Sequence, residues 1–120
     1  MNRVVHFELL SRRPERTAAF YADVFGWRKV EAAEGYWRLI SDDAGGARGI
    51  NGATVRPISD ALPPQTVNTV QVENLDAYAE KVRAHGGRTL SDVLPLPGVG
   101  RFQYCADPEG IPFGLIEYER

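Results

Sequence analysis

Val4–Leu10 carries the first regular pattern of the chain. Val5, Phe7 and Leu9 fall on one face of an extended segment, and His6, Glu8 and Leu10 fall on the other. That spacing predicts a strand whose second face mixes charged and apolar groups, as at the border of solvent or of a polar cavity. From Glu15 to Phe25 the period changes. Ala18, Ala19, Phe20, Tyr21, Ala22 and Phe25 make a broad apolar face at helical spacing. Pro14 suits a helical first turn, with Ser11 or Arg13 near the cap. Gly26 is the stop, because a residue without Cβ takes positive φ. Trp27–Glu31 and Tyr36–Ile40 are predicted as strands around the turn Ala33–Gly35. Ser41–Gly46 reads as a polar loop with paired glycines. Gly49–Val55 reads as a glycine-rich strand, where glycine marks a bulge or a close approach.

Three prolines make Arg56–Gln65 a connecting segment, and then the order begins again. Val67–Val72 is predicted as a strand. Asn74 or Asp76 caps a helix over Ala77–His85, with Tyr78, Ala79 and Val82 on its apolar side and Gly86–Gly87 as its stop. Arg88–Leu90 is a short strand and Asp92–Gly100 a Pro/Gly loop. Arg101–Ala106 and Ile111–Tyr118 flank the turn Asp107–Pro108–Glu109–Gly110. One βαβββ pattern therefore occurs twice, over about 1–56 and 66–120, with 57–65 as linker. Neither half alone looks able to bury its sheet face. The expectation is one cooperative α+β domain, with two tandem βαβββ modules forming a curved mixed sheet around a cleft.

Composition narrows the function classes. The chain has 120 residues, 43% apolar and 25% charged, with a net charge of -2 from 14 basic and 16 acidic residues. That suffices for a core without disulfides or a structural metal. No basic stripe supports nucleic-acid binding. Cys105 is the one cysteine, so no intramolecular disulfide forms, which fits a reducing compartment. No apolar stretch has the length of a bilayer span, and Met1–His6 lacks the apolar region of a signal peptide. The expected setting is the cytoplasm, away from membranes. P-loop, dinucleotide, zinc-finger, deaminase and nucleophile-elbow patterns are all missing, so no cofactor is expected.

Candidate chemistry follows from strand faces. His6 and Glu8 share a face and are the candidate catalytic pair, since histidine titrates near neutrality. Arg101, Gln103 and Cys105 alternate with Phe102, Tyr104 and Ala106. The apolar set is expected to face a helix-covered core, leaving Arg101 and Gln103 for ligand. Either Tyr36 or Trp37 is expected to face the cleft, beside Arg38, while Phe25 and Trp27 are assigned to the core. Asn51, Thr69, Gln71 and Tyr118 complete the candidate ligand-binding set. Cys105, with no base or cation nearby in sequence, reads as a small buried apolar group.

Four stretches together carry a resemblance: Val5–His6–Phe7, the run Phe20–Tyr21–Ala22–Asp23–Val24–Phe25–Gly26–Trp27, Val82–Arg83–Ala84–His85–Gly86–Gly87, and Asp107–Pro108–Glu109–Gly110. In this order they resemble the vicinal oxygen chelate superfamily, which includes glyoxalase I, extradiol dioxygenases and bleomycin-binding proteins. Metal-dependent members place a ligand in the first and last strand of each module. The resemblance puts His6 at the first position. The others fall near Gly49–Asn51, near Val67 and near Gly114, with Glu117 turned to the opposite face from Gly114. On this resemblance the chain lacks most of the ligands and is expected to hold no metal. It implies a protein that binds a small organic molecule of unknown identity, by sequestration or resistance, and that pairs as a homodimer. A metal-independent isomerase, epimerase, cyclase or lyase using His6 and Glu8, and a non-enzymatic dimeric interaction protein, are the alternatives.

Overall fold

The computed structural model describes residues 2–41, 48–60 and 62–120. Most of the loop expected over Ser41–Gly46, with its paired glycines, lies outside the described residues. The described elements are β1 (Val4–Leu10), α1 (Pro14–Phe25), β2 (Arg28–Ala33), β3 (Tyr36–Ile40), β4 (Gly52–Val55), β5 (Gln65–Gln71), α2 (Leu75–Ala84), β6 (Arg88–Thr89), β7 (Leu94–Leu96), β8 (Gly100–Ala106) and β9 (Pro112–Tyr118). The class is α+β, with parallel and antiparallel pairs mixed. The chain divides into two compact units, one of residues 6–67 and one of residues 1–5 with 68–120.

The 6–67 unit orders its strands β2-β3-β4-β1. β1 and β4 run parallel, and β4, β3 and β2 follow antiparallel. Pro14 sits in the first turn of α1, where a missing N–H is no loss. Arg13 precedes it without a side-chain cap. Ser11 instead accepts from the Arg13 N–H at 3.0 Å and bonds the Thr17 hydroxyl at 2.7 Å. Gly26 ends the helix at φ 73°, donating its N–H to the Ala22 carbonyl. Thr54, fully buried, donates its hydroxyl to the Pro14 carbonyl at 2.8 Å and so pins the start of α1 to β4. The face toward α1 carries Leu39, Thr54 and Phe7. The broad apolar face of α1 is only partly used. Ala18 is buried, whereas Phe25, expected in the core, is 59% exposed.

The second unit repeats the order as β6-β8-β9-β5, with β5 and β9 parallel and β7 added along β8. Asn74 caps α2, its side chain accepting from the Ala77 N–H. The helix begins at Leu75, two residues before the expected start, because Leu75 is a fully buried anchor. Its core is Val72, Leu75, Cys105 and Leu115, with Val70, Tyr78, Val82, Val93 and Phe113 packed against them. The expected Asp92–Gly100 loop contains β7, antiparallel to β8. Asp107 shapes the turn before β9. Its Oδ1 accepts from the N–H groups of Glu109 and Ile111, and Gly110 closes it at φ 87°.

Candidate functional site

In the 6–67 unit, register sorts the side chains. Glu8, Ala53 and Arg38 are paired across β1, β4 and β3 and share the face turned away from α1. Alternation puts His6 and Tyr36 on that face too. Trp37 pairs with Thr54 and belongs to the α1 side, where the Lys29 ammonium lies 5.4 Å from its ring centre. Of the two neighbouring aromatics, Tyr36 is thus the one beside the polar pair. Its hydroxyl lies 3.5 Å from His6 Nε2, at the limit of a hydrogen bond.

Burial sets the electrostatics. Glu8 is buried, His6 and Tyr36 are half-buried, and Arg38 is exposed. His6 is held below its ordinary value of 6.5, first by burial and then by the Arg38 guanidinium. Tyr36 is pushed up to about 12, first by burial, then by the Glu8 carboxylate, with Arg38 opposing. At neutral pH this face therefore presents a neutral imidazole and an un-ionised phenol next to a fixed guanidinium. Such a set donates to and accepts from a polar ligand, and the imidazole is free to take a proton. Asn51 acts locally, where its Oδ1 accepts from the Ser41 N–H at 2.8 Å and the Ser41 hydroxyl at 3.1 Å.

In the second unit the expected faces of β8 are reversed. Cys105 pairs with Phe113 and Gln103 with Leu115, on the side packed against α2. Arg101 is on the same side, bonded to Asp76 of α2 at 3.2 Å and to Glu117 at 3.1 Å. Gln103 donates its Nε2 to the Ser91 carbonyl at 2.8 Å. Phe102 and Tyr104, not the Arg101 set, share the opposite face with Gly114 and Thr69. Polar character misleads here because Asp76 at the start of α2 and Glu117 on β9 supply carboxylates for Arg101 on the helix side. Burial pushes the Cys105 thiol up, with Arg83 opposing, so the thiol stays protonated and apolar.

Gln71 and Tyr118 border an open depression of about 820 Å³ near the start of α2, with Asn2, Asn74 and Tyr78. Neither this depression nor a second of about 590 Å³ beside Trp37 includes His6, Glu8 or Arg38. Thr69 is 1% exposed, and its hydroxyl has no hydrogen-bond partner among the described residues. Phe102 was not among the expected site residues, yet its ring covers Gly114. Only a contact between positions twelve apart would have flagged it.

Two of the four positions singled out for a metal carry no ligand. His6 is a competent ligand, but Val67 is apolar and fully buried. At Gly114 the space for a side chain is filled by the Phe102 ring and the Thr69 hydroxyl. Among the described residues, no group of three His, Cys, Asp or Glu is placed to hold an ion.

Residues 3–115 match the family model described as the Glyoxalase/Bleomycin resistance protein/Dioxygenase superfamily. CFP32 of Mycobacterium tuberculosis, which carries a glyoxylase name, is 30% identical over 114 residues. The match takes in 92% of this chain and 42% of CFP32, so the chain spans less than half of that relative. A glyoxylase-like domain-containing protein of Didymella fabae is 33% identical over 100 residues, 80% of this chain and 78% of that protein. Among solved structures, a Streptomyces coelicolor methylmalonyl-CoA epimerase variant in complex with 2-nitronate-propionyl-CoA superposes with TM-score 0.68 at 18% identity, covering 100% of this chain and 99% of that one. A Vibrio splendidus member of the same superfamily gives TM-score 0.67 at 16% identity, covering 99% and 100%. At these identities the structures speak to the fold alone.

Proposed function

We propose that this chain, which belongs to the glyoxalase/bleomycin resistance protein/dioxygenase superfamily, binds a small organic molecule on the sheet face of His6, Glu8, Tyr36 and Arg38 and sequesters it without a metal. The supporting observation is the 3.5 Å approach of the Tyr36 hydroxyl to His6 Nε2 on a face that also carries Arg38. Arg38 favours a ligand with a carboxylate, phosphate or polarised carbonyl. The neutral imidazole and phenol then choose among such ligands by direction of hydrogen bonding.

The test is a small-molecule screen by thermal shift on native, tag-free protein, followed by titration of each hit. Binding that His6→Ala and Tyr36→Phe both weaken, with circular dichroism unchanged, supports the reading. Hits that bind both variants as they bind the parent overturn it. Stoichiometric, tightly held divalent metal in the purified protein overturns the metal-free part.

The lowered His6 also favours a second reading, a metal-independent isomerase or epimerase. A half-buried imidazole that is neutral at pH 7 is a competent general base, and buried Glu8 shares its face. Its signature is transfer of solvent deuterium into a carbon acid next to a carbonyl, lost in His6→Ala. A ligand that binds without such exchange leaves sequestration standing.

A further inference from the structure

We propose that β2 is a docking edge for a second copy of this chain, the two β2 strands pairing antiparallel about Val30. β2 ends the strand order of the 6–67 unit, and among the described residues no strand pairs with its outer side. The N–H and C=O groups on that side are a template for another strand. Every residue of β2 except Val30 is exposed.

Lysines and bulges blunt sheet edges against chance pairing. β2 carries both, with Lys29 near its middle and an irregularity between Glu31 and Ala33. These devices discourage most partners, yet the same charges select one register with a second copy. A two-fold axis normal to the sheet keeps α1 on the same side in both copies, so facing residues must belong to the same strand face. Centred on Lys29, such a pairing sets lysine against lysine. Centred on Glu31, it sets glutamate against glutamate. Centred on Val30, it sets valine against valine and each Lys29 against Glu31 of the other copy. Both charged groups are available for this. They lie on the α1 side, opposite Leu39 and Trp37 of β3. Neither is in an ion pair among the described residues, and the Lys29 ammonium rests 5.4 Å from the Trp37 ring centre. The pairing would continue one sheet into the other and put both His6 faces on the same side of it.

This inference uses no residue of the His6 face and is tested without a ligand. One short strand pair is a small contact, so association is expected on the order of 100 μM. The experiment joins copies of the full chain covalently below that concentration. Val30→Cys is expected to give a disulfide-linked dimer on mild oxidation, because the residue faces itself. The parent chain, whose Cys105 is fully buried, is expected to stay unlinked. Val30→Cys/Lys29→Glu and Val30→Cys/Glu31→Lys are each expected to link about tenfold less, since two attractive pairs become repulsive. Mixing these two variants is expected to restore the yield, with mass spectrometry finding one copy of each in the product, because the mixed pair again opposes unlike charges. Circular dichroism checks that each variant is folded. If Val30→Cys does not fold, Lys29→Cys mixed with Glu31→Cys takes its place, with linkage expected between the two and not within either. The absence of linkage overturns the proposal. So do a yield indifferent to the charge changes and mixed variants that link no better than each alone.

Discussion

At the scale of single residues, glycine works here for two unrelated reasons. Gly26 sits at φ 73° with open space where a Cβ would point, so its need is conformational. At Gly114 the obstacle is the Phe102 ring. Gly114→Ala should therefore lose about 1–3 kcal/mol in chemical denaturation, the usual range for overpacking. Shortening the ring should restore much of that loss in Gly114→Ala/Phe102→Leu. A double variant no more stable than Gly114→Ala would show that the ring is not the obstacle. His6 supports a different prediction. Its lowered value means that, as pH falls, the unfolded chain takes up the proton before the folded one. Stability should fall from its ordinary 6.5 downward and level off once the folded imidazole is also protonated. His6→Gln should flatten the stability profile between about pH 7 and 5. An unchanged profile would remove His6 as the source.

At the scale of elements, α2 is tied to the sheet by charge as well as by its core. Glu117 Oε1 on β9 accepts from the Leu75 N–H at 2.8 Å, and Arg101 on β8 clasps Glu117 and Asp76 together. The Leu75 N–H first, and Arg101 second, hold the Glu117 carboxyl below the usual 4.5. This contribution is complete above that value and fades as pH falls through the lowered one. Glu117→Gln should destabilise at neutral pH and remove this part of the acid-side loss, read as denaturation midpoints from pH 7 down to about 3. Equal acid sensitivity in the variant would place the loss elsewhere. Asn74→Ala should cost about 1 kcal/mol as a lost cap. Element order was legible along the chain, because strand alternation, helical spacing and glycine stops are local signals. The tie between Glu117 and Leu75 was not, since it joins positions 42 apart. Polarity assigns the two faces of β8 the wrong way round, because Arg101 answers to Asp76 on α2 and Glu117 on β9. Strand β7 was hidden by Pro95, which an edge strand tolerates. In the candidate site, alternation placed His6 with Glu8, whereas the choice between Tyr36 and Trp37 required the register of β3 on β4.

At the scale of the whole molecule, each unit repeats the same order, with its first strand parallel to its last. Recurring stop signals carry this repeat in the sequence, because they are local. What alternation and stops do not report is the surface left over. Phe20, Val24 and Phe25 are each more than half exposed. Tyr21, Phe25 and Trp27 stack beside them with ring centres 5.4 to 6.0 Å apart. Together the three exposed side chains present roughly 300 Å² of apolar surface, within the range of the largest patch on an ordinary monomer. Homodimerisation, implied by the family resemblance, is a proposal that this patch makes testable. Two such patches face to face would bury roughly 600 Å², about half of what a stable interface needs, so a dimer using them would also draw on their polar rim. Replacing two exposed aromatic anchors should cost such a dimer about 2–4 kcal/mol and leave the monomer folded, since neither ring is buried. Phe20→Ser/Phe25→Ser should then sediment as a monomer at concentrations where the parent chain is dimeric. A parent chain that is monomeric throughout would sink the dimer. A variant that dimerises as well as the parent would move the interface off α1.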